Sequence, residues 1–306
     1  MKLSVRRVIF IFVAASVTVA VTMLAVTMDF LSFQSRPVAI HAFTESGGVL
    51  VIAHRGGRGL WPENTLFAFE KAVKLGVDVL EFDVHLTRDH QLVIIHDSTL
   101  ERTTDGIGRV EEKDFSDLSL LDAGYRWTDD KGKTYPFRGR GIRLPLLEEV
   151  LAAFPTMRMN IELKTQGHAA ADRFSDVLRR FGCGDRVLAA SFNADTIDRV
   201  RAGYPQLAFT AATRQAASFL ILNLLRLDFI FNPTANAFQV PPKIGPLPVV
   251  TPYFVQQAHR QNVVVHAWTI NEKDEMIRLL KDGVDGILTD YPDRLLVALG
   301  RTVPEN

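Results

Sequence analysis

The 306-residue sequence predicts an α/β fold, a (β/α)₈ or TIM barrel, and three observations support this prediction. Beyond residue 48, short apolar or β-branched runs alternate with longer segments of helical periodicity, a pattern typical of parallel barrels. Two runs between residues 79 and 96 are too close together for a parallel connection, so they predict one antiparallel hairpin. Polar side chains directly follow several runs, where such barrels carry their catalytic groups. A doubly wound open sheet is the alternative fold.

The chain begins with a candidate membrane segment. Val8 to Met28 are 21 residues without a charge, long enough to cross a bilayer as a helix, and three basic residues precede them. Basic flanks stay in the cytoplasm, so residues 1–30 predict a single-pass signal anchor in the membrane that leaves the rest of the chain outside the cytoplasm. A cleaved signal peptide, which would give a secreted or periplasmic protein, is the alternative, but its apolar core is usually only about 7–15 residues long. Residues 31–48, with a proline and a Gly-Gly pair, are predicted to form a linker.

Each predicted strand is a short run rich in Val, Ile, Leu, Phe or Ala. In chain order these runs are Val49–Ala53, Val79–Val84, Met159–Leu163, Val187–Ser191, Leu207–Ala211, Ala237–Val240, Val263–Thr269 and Gly286–Thr289. Apolar residues recur at helical spacing between them. The predicted helices are Asn64–Leu75, with Asn64 as its N-cap, Leu146–Phe154, His168–Phe181, Ala194–Ala202, Pro252–Gln261 and Glu272–Lys281. Together they predict one barrel domain over residues 49–300, followed by a tail at 301–306.

The segment EFDVHLTRDHQLVIIHD contains two extended runs separated only by Thr87 to His90. Parallel strands need a crossover of about a dozen or more residues, so these runs must form an antiparallel hairpin. The returning strand then brings His96 beside Glu81 and Asp83. Residues 98–143 have little periodicity, and we expect them to form a long insertion over the same end of the barrel, as a lid or a wall.

Composition and motifs exclude several functions. The 35 basic and 35 acidic residues cancel, so no nucleic-acid partner is predicted. The single cysteine, Cys183, excludes an internal disulfide and a cysteine-based zinc site. Gly57 and Gly59 are followed by Pro62 where a dinucleotide-binding loop has its third glycine. No G-x-S-x-G sequence is present, so serine-hydrolase chemistry is not supported.

Polar residues converge at the predicted carboxyl ends of the strands. They are His54 and Arg55 after the first strand, Glu81 and Asp83 at the second, Glu162 and Lys164 at the third, Ser191 at the fourth, and Trp268 and Asn271 at the seventh. Taken alone, Glu162 and Lys164 would be an ordinary ion pair of small net benefit. Three carboxylates at one barrel mouth, however, need a cation between them, and ligation by oxygen alone favours one divalent ion, Mg²⁺ or Ca²⁺, over zinc. Metal, arginine and lysine can neutralise a phosphoryl group while two histidines transfer protons, so metal-assisted cleavage of a phosphate ester is predicted.

A set of motifs in a fixed order carries a family resemblance. HRGG with PENT, EFDVHLTRDHQLVIIHD, IELK, SF, HAWTIN and GVDGILTDYPD, from about Val49 to Leu296, resemble the glycerophosphodiester phosphodiesterase family. The resemblance implies a (β/α)₈ barrel that hydrolyses glycerophosphodiesters to glycerol 3-phosphate and an alcohol. The roles that it implies are a general acid/base pair for His54 and His96, metal ligation for Glu81, Asp83 and Glu162, contact with the substrate phosphate for Arg55 and Lys164, a wall of the substrate pocket for Trp268, and a supporting role for Glu63.

Two features point to a lipid substrate or a membrane contact. RTTDGIGRV and LDAGYRWT in the insertion resemble the branch of the family with membrane-associated members that act on lysophospholipids, so lysophospholipase D activity, which releases lysophosphatidic acid and a head group, is the alternative reaction. Ala217–Leu227 is apolar on nearly every helical face, whereas outer barrel helices usually keep one polar face. We expect this segment to contact a bilayer or an acyl chain; burial beneath the insertion or in an oligomer contact is the alternative. A catalytically silent, membrane-anchored binding module is the remaining hypothesis.

Overall fold

The computed structural model describes residues 36–304. The predicted signal anchor, residues 1–30, and the start of the predicted linker lie outside the described residues. Within residues 36–304, no helix combines the length and the apolar character needed to span a bilayer.

The centre of the described chain is a barrel of eight parallel strands, as predicted. The strands are β1 (Leu50–Ala53), β2 (Val79–Leu86), β3 (Leu92–Ile94), β4 (Arg158–Leu163), β5 (Val187–Ala190), β6 (Ala208–Phe209), β7 (Ala237–Val240), β8 (Lys243–Ile244), β9 (Leu247–Pro248), β10 (Val264–Ala267) and β11 (Gly286–Thr289). The barrel order is β6-β5-β4-β2-β1-β11-β10-β7. Its two ends meet where Ala211 N–H donates to Ala237 O (2.9 Å) and Asn236 N–H donates to Phe209 O (2.8 Å). The sheet therefore curls round on itself, unlike the doubly wound alternative.

The barrel strands are apolar because both of their faces are covered. Inward side chains fill the barrel and outward side chains pack against helices, as in other parallel sheets. Every residue of β1 and β2 is buried. Charged residues on these strands, such as Glu81 and Asp83, therefore need partners inside the fold.

All six predicted helices are present, and residues 36–304 contain three others. The helices are α1 (Leu66–Leu75), α2 (Phe115–Leu118), α3 (Leu147–Ala153), α4 (His168–Arg180), α5 (Ala194–Gly203), α6 (Thr213–Leu224), α7 (Pro252–His259), α8 (Lys273–Asp282) and α9 (Pro292–Ala298). The prediction that Asn64 caps α1 is wrong, because Thr65 Oγ1 accepts the N–H of Ala68 (3.1 Å) and is the N-cap. Asn64 has a φ of 60° and its Nδ2 donates to Asp83 Oδ2 (3.0 Å), so its side chain serves the cavity instead.

The predicted hairpin is confirmed. β2 and β3 pair antiparallel with Val84 opposite Ile94, and Thr87 N–H donates to Gln91 O (2.9 Å) across the turn. Ile95 N–H then donates to Asp83 O (3.1 Å). This bond holds the following residue, His96, at the barrel mouth.

The insertion, residues 98–143, packs around a small apolar cluster. The cluster contains Leu100, Val110, Leu118, Ala123 and Ile142 of the insertion together with Val93, Ile95 and Leu144. Trp127 Nε1 donates to Arg58 O (3.0 Å), which fixes the insertion beside the first strand's loop. None of residues 98–143 lines the main cavity described below, so the insertion is a wall beside the barrel mouth and does not cover it as a lid.

The segment before β1 closes the opposite end of the barrel. Phe43, in a 3₁₀ turn at Ala42–Thr44, is fully buried. It belongs to one apolar cluster with inward side chains of several strands, namely Leu50, Ile52, Val79, Leu188, Ala208, Ala237 and Leu288. His41 Nε2 also hydrogen-bonds to Gln206 O (2.9 Å). The described part of the predicted linker is therefore bound to the barrel.

The apolar segment Ala217–Leu227 is helical only in part, because α6 begins at Thr213 and ends at Leu224. Several of its large side chains are exposed, with Leu225 exposed by 63%. Burial of the whole segment beneath the insertion is therefore wrong. The hairpin of β8 and β9 and the seven-residue helix α9 are not predicted by the sequence pattern, because they are too short to show a clear period.

Candidate active site

A cavity of about 660 Å³ opens where the barrel strands end. All eight predicted site residues line it: His54, Arg55, Glu81, Asp83, His96, Glu162, Lys164 and Trp268. A second part of the lining is apolar and comes from α6 and from the residues around the β8 and β9 hairpin. Trp268 contacts Phe192 edge to face at 6.4 Å between ring centroids. The cavity therefore joins a charged region to an apolar one.

Three carboxylates meet on adjacent strands. Asp83 on β2 is the register partner of Glu162 on β4, and Glu81 lies two residues before Asp83, so its side chain shares the same face. One oxygen of each carboxylate lies within 4.8 Å of the other two. Oxygen atoms alone are the ligands that Mg²⁺ and Ca²⁺ prefer. The cluster can therefore hold a divalent cation.

The nearby cations balance these carboxylates unevenly. Lys164 Nζ lies 2.8 Å from Glu162 Oε1 and 3.1 Å from Asp83 Oδ1, whereas Glu81 Oε2 accepts the backbone N–H of Arg55 (2.7 Å). Burial raises the pKa of Glu81 to about 7, with His54 opposing this shift and Asp83 reinforcing it. A bound cation would favour the ionised carboxylate, so the charge of the cluster fits a metal.

Two buried amide oxygens near the cluster support the same conclusion. Asn64 Oδ1 and Asn160 Oδ1 have no hydrogen-bond partner within residues 36–304. Asn160 is the register partner of Glu81 and lines the cavity. Buried polar atoms are normally paired, so these oxygens suit a cation or its bound water.

His54 is held by an aspartate at the end of β11. Its Nδ1 lies 2.6 Å from Asp290 Oδ1, and Asp290 also accepts Arg58 Nε (2.9 Å) and Asn271 Nδ2 (2.8 Å). Although burial opposes ionisation, His54 and Arg58 lower the pKa of Asp290 to about 2. An ionised carboxylate only accepts hydrogen bonds, so His54 Nδ1 carries the proton. The other ring nitrogen, Nε2, is left for proton transfer.

His96 forms a similar pair with its neighbour Asp97, at 2.6 Å between Nδ1 and Oδ1. Although burial opposes ionisation, Arg102 and His96 lower the pKa of Asp97 to about 2, so Nδ1 again donates. Burial lowers the pKa of His96 itself, despite the charges of Asp83 and Asp97. The ring is therefore neutral at pH 7 and can accept a proton on Nε2.

Arg102 of the insertion links the two sides of the charged region. Its Nε donates to Asp97 Oδ2, and its two Nη atoms donate to the two oxygens of Glu63 (2.8 Å each). Glu63 Oε1 also accepts Arg55 Nη1 (2.9 Å). Arg55 Nε is buried, lies 3.4 Å from Asp83 Oδ2 and makes no hydrogen bond. It is therefore a donor that remains for an oxyanion.

Several residues of this arrangement are not among the predicted site residues: Arg58, Asn64, Asp97, Arg102, Asn160 and Asp290. Asp290 directly follows the eighth barrel strand, so the strand-end argument used for the other strands would have found it. Asn271, which that argument did select, positions Asp290. Ser191 lines the cavity, but its hydroxyl donates to Leu163 O (3.0 Å) and supports the backbone.

The fold and the cavity together define a class of protein. Carboxylates arranged for a divalent cation, cationic donors for an oxyanion and two oriented imidazoles are the requirements of phosphoester cleavage, so a barrel of this kind is a phosphodiester hydrolase. Comparison with known proteins then gives the particular family. The chain belongs to the glycerophosphoryl diester phosphodiesterase family, whose model matches residues 54–294. This membership confirms the predicted enzyme class.

Sequence and structural similarity to individual proteins is consistent with this family membership. A glycerophosphodiester phosphodiesterase of Caldanaerobacter subterraneus is 32% identical, and the match covers 81% of this chain and 96% of that protein. A mouse lysophospholipase D is 27% identical over 80% of this chain and 84% of its own length. A phosphodiesterase of Oleispira antarctica, solved in complex with the product sn-glycerol-3-phosphate, has a TM-score of 0.64 and 28% identity, covering 83% of this chain and 97% of that one.

Proposed function

We propose that the protein hydrolyses glycerophosphodiesters to glycerol 3-phosphate and an alcohol by means of one divalent cation and two histidines. The observation that carries this proposal is the meeting of the three-carboxylate cluster and two His–Asp pairs on one cavity. The product bound to the Oleispira antarctica phosphodiesterase supports the same product here.

In this proposal a cation held by Glu81, Asp83 and Glu162 supplies Lewis-acid polarisation of the phosphate. Arg55 Nε and Lys164 Nζ add positive charge where negative charge develops. His96, which is neutral near pH 7, accepts the proton of the attacking water or substrate hydroxyl. His54, whose Nδ1 is held by the ionised Asp290, donates a proton from Nε2 to the leaving alcohol.

Hydrolysis of glycerophosphocholine by the full-length protein tests this proposal. EDTA should abolish turnover and Mg²⁺ or Ca²⁺ should restore it, while His54→Ala and His96→Ala should each lower it by about 10²–10⁴-fold. His259→Ala is the matched control, because His259 also pairs with an aspartate (2.7 Å to Asp285) but does not line the cavity. Near wild-type turnover in both site variants would refute the roles of the two histidines. No turnover with any ion or diester would favour the silent binding module.

We propose one Mg²⁺ or Ca²⁺ per chain. Removing one carboxylate, as in Glu81→Gln, should lower the affinity for the ion. The stoichiometry should stay at one ion per chain, because the carboxylates of Asp83 and Glu162 remain. Titration calorimetry of the metal-free protein with each ion measures both quantities. Binding that is unchanged in Glu81→Gln would contradict this ligand set.

A lysophospholipase D reaction is the second candidate, and the apolar part of the cavity favours it. Ala216, Ala217, Leu220 and Ile221 of α6 line that part together with Val249. Glycerol alone offers no surface for these side chains, whereas one acyl chain does. Ala217→Trp should therefore lower kcat/KM for lysophosphatidylcholine and spare glycerophosphocholine. Ser218→Trp is the control, because Ser218 is the exposed neighbour that does not line the cavity.

We also propose that residues 1–30 anchor the protein in the membrane with the barrel outside the cytoplasm. The length of the uncharged segment Val8–Met28 and its basic flank support this location. Protease added to spheroplasts of the expressing bacterium should digest the barrel and leave a short membrane-bound fragment. Recovery of the intact barrel in the soluble periplasmic fraction would favour cleavage.

A further inference from the structure

The side of the barrel that carries α6 exposes several large apolar side chains. They are Ile221, Leu224, Leu225 and Leu227 on and just after α6, and Ile244 and Leu247 on the hairpin of β8 and β9; these six residues are called the α6 face below. Ile221 lies three residues before Leu224 and four before Leu225, so the three share one side of the helix. Contiguous apolar surfaces are uncommon on proteins without a partner, so the α6 face is a candidate docking surface.

The α6 face is continuous with the cavity. Ile221 and Ile244 both line the cavity, yet each is 58% exposed, so they form its rim. On α6 the lining residues recur at helical spacing as far as Ile221, and Leu224 continues that series beyond the rim. An apolar path therefore leads from the charged region of the cavity to the α6 face.

The exposed charges within residues 213–250, which include α6 and the hairpin, are positive. Between Thr213 and Val250 the only acidic residue is Asp228, which is buried. Arg214 and Arg226 are exposed near the two ends of α6, and Lys243 is exposed on the hairpin. A mixed apolar and basic surface suits a bilayer that contains anionic lipids. Two copies of this face, in contrast, would bring like charges together.

The polypeptide enters the described domain on the same side. Arg36 N–H donates to Asn232 Oδ1 (3.0 Å) in the segment between α6 and β7, and Gln215 of α6 donates to the same segment (2.8 Å). Seven residues separate Arg36 from the uncharged segment Val8–Met28, and they can span at most about 25 Å. An anchor in that segment would keep α6 within reach of the bilayer.

We propose that the α6 face docks on the surface of an anionic bilayer, with its leucines and isoleucines between head groups and acyl chains. In this orientation the apolar rim of the cavity opens onto lipid, and a phosphodiester with one acyl chain reaches the catalytic groups without crossing water. The substrate in this inference rests on the proposed function, but the contact with the bilayer does not.

Fluorescence quenching in proteoliposomes tests the contact directly. The full-length protein carries one cysteine, Cys183, which is fully buried, so an added cysteine takes up the label. A fluorophore on Leu225→Cys should be quenched by lipids brominated along the acyl chains, and more strongly when phosphatidylglycerol is present. The matched control is Leu120→Cys, which is 84% exposed on the insertion. Equal quenching at the two positions would overturn the proposal. So would fluorescence of Leu225→Cys that changes with the number of proteins per vesicle and not with the lipid, because it would indicate contact between copies of the protein.

Activity provides a second measurement. Leu224→Ser with Leu225→Ser should lower hydrolysis of lysophosphatidylcholine in vesicles by about tenfold or more, because each buried leucine contributes at least about that factor to partitioning. Hydrolysis of water-soluble glycerophosphocholine should stay at the wild-type rate, since neither leucine lines the cavity. A parallel loss on both substrates would overturn the docking role. A wild-type protein inactive on both substrates would refute the proposed function and leave the quenching result standing.

Discussion

Asp290→Asn is the substitution that tests the arrangement of His54 most directly. Asp290 Oδ1 accepts from His54 and Arg58, and Oδ2 accepts from Asn271. The side-chain amide of an asparagine has only one accepting atom. Its nitrogen must therefore face either Asn271, which donates to Oδ2 in the wild type, or His54 and Arg58, which donate to Oδ1. When it faces His54, it forces the imidazole proton onto Nε2. Nδ1 must then accept a hydrogen bond, so the ring loses its carboxylate partner for a second N–H, and the doubly protonated form that donates from Nε2 to the leaving alcohol is disfavoured.

The structure gives a magnitude for this loss. Although burial opposes ionisation, the contacts of Asp290 with His54 and Arg58 lower its pKa from 3.8 to about 2, which corresponds to about 2 kcal/mol in favour of the carboxylate. The side chains of His54 and Asp290 are only 13% and 5% exposed, so solvent screening removes little of it. An energy of about 2 kcal/mol corresponds to a factor of about 30, and replacing the aspartate of a Ser-His-Asp triad by asparagine costs about 10⁴-fold. We therefore expect kcat/KM to fall by about 10²–10⁴-fold.

Initial rates on glycerophosphocholine with saturating metal, measured across the neutral pH range, provide the assay. Asp285→Asn is the matched control, because Asp285 pairs with His259 (2.7 Å) in the same way outside the cavity. Its turnover should stay within about threefold of the wild type, since neither Asp285 nor His259 lines the cavity, although Asp285 Oδ2 also accepts the N–H of Val265 (2.7 Å). Thermal unfolding of both variants shows whether the fold is retained. A folded Asp290→Asn enzyme with the turnover of the control would refute the reasoning.

Three further outcomes are expected. Arg102→Ala should lower kcat by about 10–100-fold. Arg102→Lys should restore only part of the activity, because a lysine cannot bind Glu63 and Asp97 together. Steady-state kinetics give kcat for both variants. Phe43→Ala should cost about 3–5 kcal/mol in urea unfolding, whereas the exposed Ile40→Ala should cost under about 0.5 kcal/mol. Burial lowers the pKa of His266 from 6.5 to about 4 in the folded protein. Between these two pH values the unfolded chain binds a proton that the folded protein does not, so the free energy of unfolding falls as the pH drops from 6.5 towards 4. His266→Gln should remove up to about 3 kcal/mol of this pH dependence, and a wild-type slope in that variant would contradict the assignment.

The barrel could be predicted because its strands are buried on both faces and read as short apolar runs. The position of His96 could be predicted for a different reason: four residues between two extended runs allow only a hairpin, and the pleat then fixes which side chains face the mouth. The three carboxylates follow from the same alternation along β2 and β4.

Other parts of the site depend on contacts between segments far apart in the sequence. Arg102 lies in an insertion without periodicity, 39 positions after Glu63, so no local pattern indicates their pairing. Asn64 is a reasonable helix cap by residue type, but its bond to Asp83 takes precedence. The exposure of Leu224 and Leu225 could not be predicted either, because an apolar helix reads alike whether it lies under protein or under solvent.

Phe43 constrains the order in which parts of this protein can fold during synthesis. The side chains around it come from strands distributed from β1 to β11, so its binding place is complete only after the ribosome has added nearly the whole polypeptide. Until then the segment that precedes β1 lacks a large part of this binding place, although it emerges before the strands. The earliest part of the domain to be translated is therefore among the last to pack. The end of the barrel that Phe43 closes stays exposed until synthesis is nearly complete.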